Sequence, residues 1–179
     1  GPVIGEPYFR VGDTVVGVAD GLLLNGEQVC CAQTRLLLHE SLYDRFIADL
    51  CRELQKRKPG DILDPATRLG SMINRAQMEK VHKTVMDAVA DGATLVCGGE
   101  PFSGPLFDKG AFYKPTLLCD VREDMKCYRE EIFGPVLVVM KYSSLDEAID
   151  YANASKFGLG AGIFSESHKT IHYAAQRLN

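Results

Sequence analysis

Two short segments carry residues that could do chemistry together. The first, Asn25-Gly26-Glu27-Gln28-Val29-Cys30-Cys31-Ala32, sets a thiol among polar and small residues. The second, Glu130-Glu131-Ile132-Phe133-Gly134-Pro135-Val136, sets two carboxylates ahead of an aromatic residue and a strand-like run. A free cysteine has a pKa of about 8.5, so it attacks a carbonyl only with a base, a cation or backbone N–H groups close by. Cys30 and Cys31 are adjacent, and at most one of them can face a given pocket. A carboxylate such as Glu131 can accept two hydroxyl donors at once, which suits a vicinal diol. On spacing alone the plainer readings are preferred: Cys30 as an idle or buried thiol, Glu130-Glu131 as a solvated pair at a turn.

The remaining candidates are weaker. His168 and His172 have the i, i+4 spacing of a zinc-binding helix, but Lys169 stands where H-E-x-x-H carries its Glu. They read as an exposed helix face, His39 and His82 as structural residues, and no metal site is expected. Gly98-Gly99 follows a strand but lacks the further glycines and helix start of a phosphate loop, so it reads as a turn.

The elements that must hold these segments alternate between helical and extended patterns. Asp13 is expected to cap a helix carrying Val15, Val16, Ala19, Leu22 and Leu23, which leads into the Cys30 segment. Thr34 to Leu38 reads as a buried strand. Ser41 then starts a helix with Leu42, Phe46, Leu50 and Leu54 in one apolar row, ended by Pro59-Gly60. Asn74 caps a helix with Met78, Val81, Val85, Ala88 and Val89 inward, and Gly92 suits its left-handed end. Ala93 to Cys97 is a strand, and 98 to 110 a loop rich in Gly and Pro. Tyr113 to Leu118 is a strand interrupted by Pro115, hence an expected edge. Val136 to Met140 and Leu159 to Phe164 are further strands, with helices capped by Ser144 and Ser167. Strands separated by helices imply an α/β fold, a mostly parallel open sheet flanked by helices.

Bulk properties exclude several classes. With 46% hydrophobic and 25% charged residues and a net charge of −4, the chain has neither a basic stripe for nucleic acid nor an apolar run long enough to span a membrane. No signal peptide is evident. The six cysteines, at 30, 31, 51, 97, 119 and 127, show no C-x-x-C, and a chain of 179 residues needs no disulfide staples. Reduced thiols in the cytoplasm or another reducing compartment are expected. Gly1-Pro2 without an initiator Met suggests that the true start lies upstream, and residues 1–10 are expected to be an appended or disordered segment.

Taken together and in order, the two segments resemble the signature motifs of the catalytic domain of NAD(P)-dependent aldehyde dehydrogenases. Asn25, Gln28 and Cys30 match that family's Asn-x-Gly-Gln-x-Cys motif, and Ala32 and Arg35 match the small residue and the Arg that come soon after its Cys. Glu131 lies 101 positions beyond Cys30, about the family's separation. Phe112-Tyr113-Lys114-Pro115-Thr116, Ala152-Asn153, Phe157-Gly158-Leu159 and Ile163-Phe164-Ser165 extend the resemblance from about residue 11 to the end. It implies that Cys30 is the nucleophile and a backbone donor to the oxyanion hole, that Glu131 holds the nicotinamide ribose of NAD or NADP, and that Phe133 packs near the ring. It further implies a small aldehyde substrate and a homo-oligomeric parent. The Cys30-Cys31 pair and Glu123-Asp124-Met125 are similar to the betaine and aminoaldehyde group.

Three departures from the family pattern stand out. Glu27 occupies the place of the motif's Gly, where a positive φ would strain it and where a carboxylate would disfavour the nearby thiolate. The family's general-base Glu and its dinucleotide-binding domain precede the nucleophile by more residues than this chain has, and Arg177-Leu178-Asn179 stops where the resemblance implies a further strand, substrate-pocket residues and an oligomerisation strand. A single partial catalytic domain over 1–179 is therefore expected, inactive alone and prone to self-association. A relative that passes the acyl group to coenzyme A, and a catalytically silent interaction module, remain as alternatives.

Overall fold

The structure, a computed structural model, describes residues 1–7, 10–61 and 63–179. Among these, six strands form one sheet: β1 (Pro2–Gly5), β2 (Arg35–His39), β3 (Thr94–Cys97), β4 (Thr116–Cys119), β5 (Val136–Tyr142) and β6 (Gly162–Phe164). Their order across the sheet is β3-β4-β5-β2-β1-β6, parallel throughout except where β3 runs antiparallel to β4. Six helices flank it: α1 (Val11–Leu23), α2 (Tyr43–Lys56), α3 (Arg75–Ala90), α4 (Lys126–Arg129), α5 (Leu145–Asn153) and α6 (His168–Ala175).

The inner strands β1, β2, β4 and β5 are covered on both faces, which is why they read as continuous apolar runs, whereas the edge strand β3 is largely exposed. Because side chains alternate along a strand, Leu36 and Leu38 of β2 and Leu137 and Val139 of β5 meet α1 and α2 through Val18, Leu22, Phe46, Leu50 and Leu54. Leu37, Val136, Val138 and Met140 point the other way, toward α3 and α5 through Met78, Val81, Val85, Ala148 and Ile149. At roughly 1.5–3 kcal/mol for each large apolar side chain fully buried, these two layers hold the sheet's centre firmly.

Several elements differ from the sequence expectation. The sequence predicts a disordered or appended segment over 1–10, yet Pro2–Gly5 is an inner strand whose Val3 and Ile4 are fully buried between β2 and β6; Tyr8 and Phe9 lie outside the described residues. β4 is not an edge but pairs with both β3 and β5, which Pro115 permits because it precedes the strand and its missing N–H costs the ladder nothing; β3 and β6 are the edges. Asp13 lies in the first turn of α1 rather than at its cap, and Val16 and Val89 face solvent. Asn74, Ser144 and Ser167 do cap their helices, each side chain accepting the N–H three residues on.

Candidate active site

The cavity that gathers the chemistry lies at the amino ends of four parallel strands. It has a volume of about 380 Å³ and is walled by Gly1 before β1, Glu27 to Thr34 before β2, Tyr128 to Phe133 before β5 and Lys156 to Gly160 before β6. Open α/β sheets more often bind ligands at the carboxyl ends of their strands. Here those ends are not where the thiol is.

Cys30, Glu131 and Phe133, separated by about a hundred residues in sequence, all line this cavity, and Cys30 and Cys31 are both exposed. A second cavity of about 580 Å³ shares Glu131 and Phe133 and adds Asn25, Gln28, Ser71, Ile73, Gln77 and Lys80. Glu131 and Phe133 thus form the partition between the thiol's cavity and a polar one. Gln77 and Lys80 carry no signal in the sequence, since on an amphipathic helix they read as ordinary solvent-facing positions.

The Cys30 loop has an unusual backbone. After α1 the chain makes a 3-10 turn over Leu24–Glu27 in which Asn25, Gly26 and Glu27 all take left-handed φ, at 52°, 61° and 62°. Asn tolerates that region and Gly has no cost there, but for Glu it costs about 1–2 kcal/mol. The turn is held from both ends. Gln28 Oε1 accepts the N–H of Ile73 at 2.7 Å, and its Nε2 donates back to the Asn25 carbonyl at 3.3 Å.

Glu27 itself is strained rather than displaced. Its side chain turns inward and is 2% exposed, and Oε2 accepts the N–H of Val136 at 2.8 Å. Burial pushes its carboxyl well above the ordinary 4.5, against the opposing pulls of the Val136 N–H and the Gly1 amino group.

The Glu131 segment is clamped by α3. Gln77 Nε2 donates to the carbonyls of Ile132 and Phe133, at 3.1 and 3.0 Å, and fixes Phe133 at φ 55°. Gly134 comes next because nothing larger fits: a Cβ there would stand 2.5 Å from Val81 Cγ2 and 3.1 Å from Met72 Cε. Arg35 closes the floor. It is buried, its guanidinium lies 5.3 Å from the Tyr128 ring centroid, and its Nη1 has no hydrogen-bond partner among the described residues. Burial lowers its pKa, with Tyr128 and Glu131 opposing.

Known proteins share this fold. Residues 9–179 match the model of the aldehyde dehydrogenase family. The chain belongs to the aldehyde dehydrogenase family. It is 43% identical over 164 residues to betaine aldehyde dehydrogenase of Brucella anthropi, covering 92% of this chain and 34% of that protein. It is 42% identical over 166 residues to an NADP(+) succinate-semialdehyde dehydrogenase of Deinococcus radiodurans, covering 93% and 34%. The NAD-dependent aldehyde dehydrogenase of Sinorhizobium meliloti superposes with a TM-score of 0.94 at 35% identity, over 99% of this chain and 35% of that one. The chain thus spans about a third of the length of the aldehyde dehydrogenases it matches.

The other sequence candidates lie apart from the site. His39 Nδ1 accepts the Ser41 N–H at 3.2 Å, and His82 Nδ1 stands 3.0 Å from the Tyr113 hydroxyl. Among the described residues no group of three His, Cys, Asp or Glu is placed to hold a metal, and no helix is long and apolar enough to cross a membrane.

Proposed function

We propose that this chain is the nucleophile-bearing part of an NAD(P)-dependent, non-acylating aldehyde dehydrogenase. The observation that carries the reading is the meeting of Cys30, Glu131 and Phe133 in one cavity. In this mechanism the Cys30 thiolate adds to the aldehyde carbon and forms a thiohemiacetal, with the Cys30 backbone N–H donating to the oxyanion. Loss of hydride leaves a thioester on Cys30, and water releases the carboxylic acid and the thiol.

The residues present suit a nicotinamide dinucleotide. Glu131 offers a carboxylate to a ribose diol, Gln77 and Lys80 offer donors across the same polar cavity, and Phe133 offers an apolar face. That group, when bound, supplies the hydride acceptor. The substrate is a small aldehyde, and the parent is a homo-oligomer. Turnover by these 179 residues alone is not expected, since the relatives use about three times this length. Six free thiols suit the cytoplasm or another reducing compartment.

Competitive alkylation tests the reading. With iodoacetamide and peptide mass spectrometry, Cys30 is expected to label well ahead of Cys51, Cys97 and Cys119. Prior incubation with a reactive aldehyde such as propanal should protect Cys30 while leaving Cys31 labelled. Equal, slow labelling of Cys30 and Cys51, with no protection by aldehyde, would sink the proposal and favour a silent interaction module.

A further inference from the structure

We infer that Glu27 is a positioning residue, a side-chain rung that ties the Cys30 loop to the start of β5 and so sets the spacing between Cys30 and the Glu131–Phe133 segment. This rests on the reading of Cys30 and Glu131 as parts of one active site. Glu27 is the residue that departs from the family's motif, so the family pattern does not assign it this work.

The geometry is that of a ladder continued by other means. β2 and β5 pair in parallel, with Arg35 opposite Val138, and the Val138 N–H donates to the Thr34 carbonyl at 3.0 Å. One rung earlier, the Val136 N–H would meet the carbonyl of Ala32. In the structure that carbonyl accepts from the Gly1 amino group at 2.6 Å, and the Val136 N–H goes elsewhere. The Glu27 carboxyl fills the gap, accepting the Val136 N–H at 2.8 Å across 109 positions of sequence. Val136 N–H has a second acceptor in the Gly134 carbonyl at 2.6 Å, so the rung does more than satisfy one donor: it joins two segments. The left-handed φ of Glu27 turns its side chain away from solvent and toward β5; the backbone strain and the buried hydrogen bond belong to one conformation. Gln28, the next residue, is fastened to Ile73 ahead of α3, and Gln77 of α3 fastens Ile132 and Phe133. Glu27 closes this circuit on the sheet side.

Three substitutions in the full chain separate the rung from the strain and from the charge. Glu27→Gln keeps an acceptor oxygen and removes the charge. Glu27→Ala removes the acceptor and keeps the strain, and Glu27→Gly removes both, so it folds even where the Ala variant does not. The readouts are amide exchange of Val136 by NMR and the alkylation rate of Cys30 relative to Cys31. Neither uses aldehyde or nucleotide, so failure here leaves the dehydrogenase reading standing, and failure of aldehyde protection leaves the rung standing. Glu27→Gly, and Glu27→Ala where folded, should speed Val136 exchange by about tenfold, the scale of one buried hydrogen bond, and shift the Cys30 to Cys31 ratio. Glu27→Gln should stay close to the parent in both. Unchanged Val136 exchange in Glu27→Gly, or a Gln variant as disturbed as the Gly variant, would overturn the inference.

Discussion

Glu27 and Phe133 share a condition that is rare for residues with a Cβ: each holds a left-handed φ, and each lines the candidate site. Strain of this kind persists only where the surroundings over-determine it. At Phe133 the surroundings are two hydrogen bonds from Gln77 and the closeness of Gly134 to Val81. At Glu27 they are burial and the Val136 N–H. Burial also decides the sign of a pH effect. The folded state binds the Glu27 proton more tightly than the unfolded chain does, because burial raises its pKa above 4.5. Above that value, and up to the folded value, the folded chain therefore holds more protons, and stability falls as pH rises. Glu27→Gln abolishes this titration. Urea melts of the two proteins should show the Gln variant gaining on the parent as pH rises above 4.5. Curves that stay parallel would mean that Glu27 titrates as if exposed.

Helices in this chain are set by two devices, an apolar stripe and a side-chain cap. On α2, Phe46, Leu50 and Leu54 are fully buried, and Leu50→Ala should cost about 2–5 kcal/mol in a urea melt. On α5, Ser144 Oγ accepts the Glu147 N–H at 3.3 Å, and Ser144→Ala should cost about 1 kcal/mol. Glu147 answers by accepting from Ser143 N–H and Oγ, and from the Tyr151 hydroxyl, each at 2.8 Å, which lowers its pKa to about 2. Its contribution is complete above 4.5 and is lost as pH falls toward 2, so Glu147→Gln should flatten the acid limb of a pH melt; an unaltered limb would refute the assignment. These devices are legible in the sequence because caps and stripes are local. The β2 and β5 runs and the three capped helices are readable for the same reason, and the mostly parallel character of the sheet follows from strands alternating with helices. The features that escape such reading depend on distant partners. Pro2–Gly5 is too short to announce itself, and becomes a strand only by pairing with β2 and β6. The cavity's place at the amino ends of the strands, the Gln77 clamp and the Glu27 rung join positions 55 to 109 apart, and no local pattern marks them. Cys30 and Glu131 stand out through a resemblance of ordered motifs; their meeting in one cavity is a property of the fold.

At the scale of the molecule, several exposed apolar side chains stand around the two cavities. Ile73 in the second cavity's wall is 78% exposed, Leu159 and Phe157 in the first are 67% and 41% exposed, and Leu24, just before the Cys30 loop, is 56% exposed. Scattered apolar residues on a surface mean little, but several around one pair of cavities mark a face suited to contact. A net charge of −4 opposes close approach of two copies only weakly. Reversible self-association through this face is therefore expected. Sedimentation velocity over a concentration series should show the weight-average coefficient rising with concentration. Sulfate should strengthen the association, since it favours apolar burial, whereas an association held by ion pairs would weaken as salt screens it. The double variant Ile73→Ser, Leu159→Ser should restore a constant coefficient while leaving the circular dichroism spectrum as it was, because neither side chain belongs to the buried core. A coefficient independent of concentration in the parent would show that the face stays open to water. Loss of association in sulfate would assign it to charge instead.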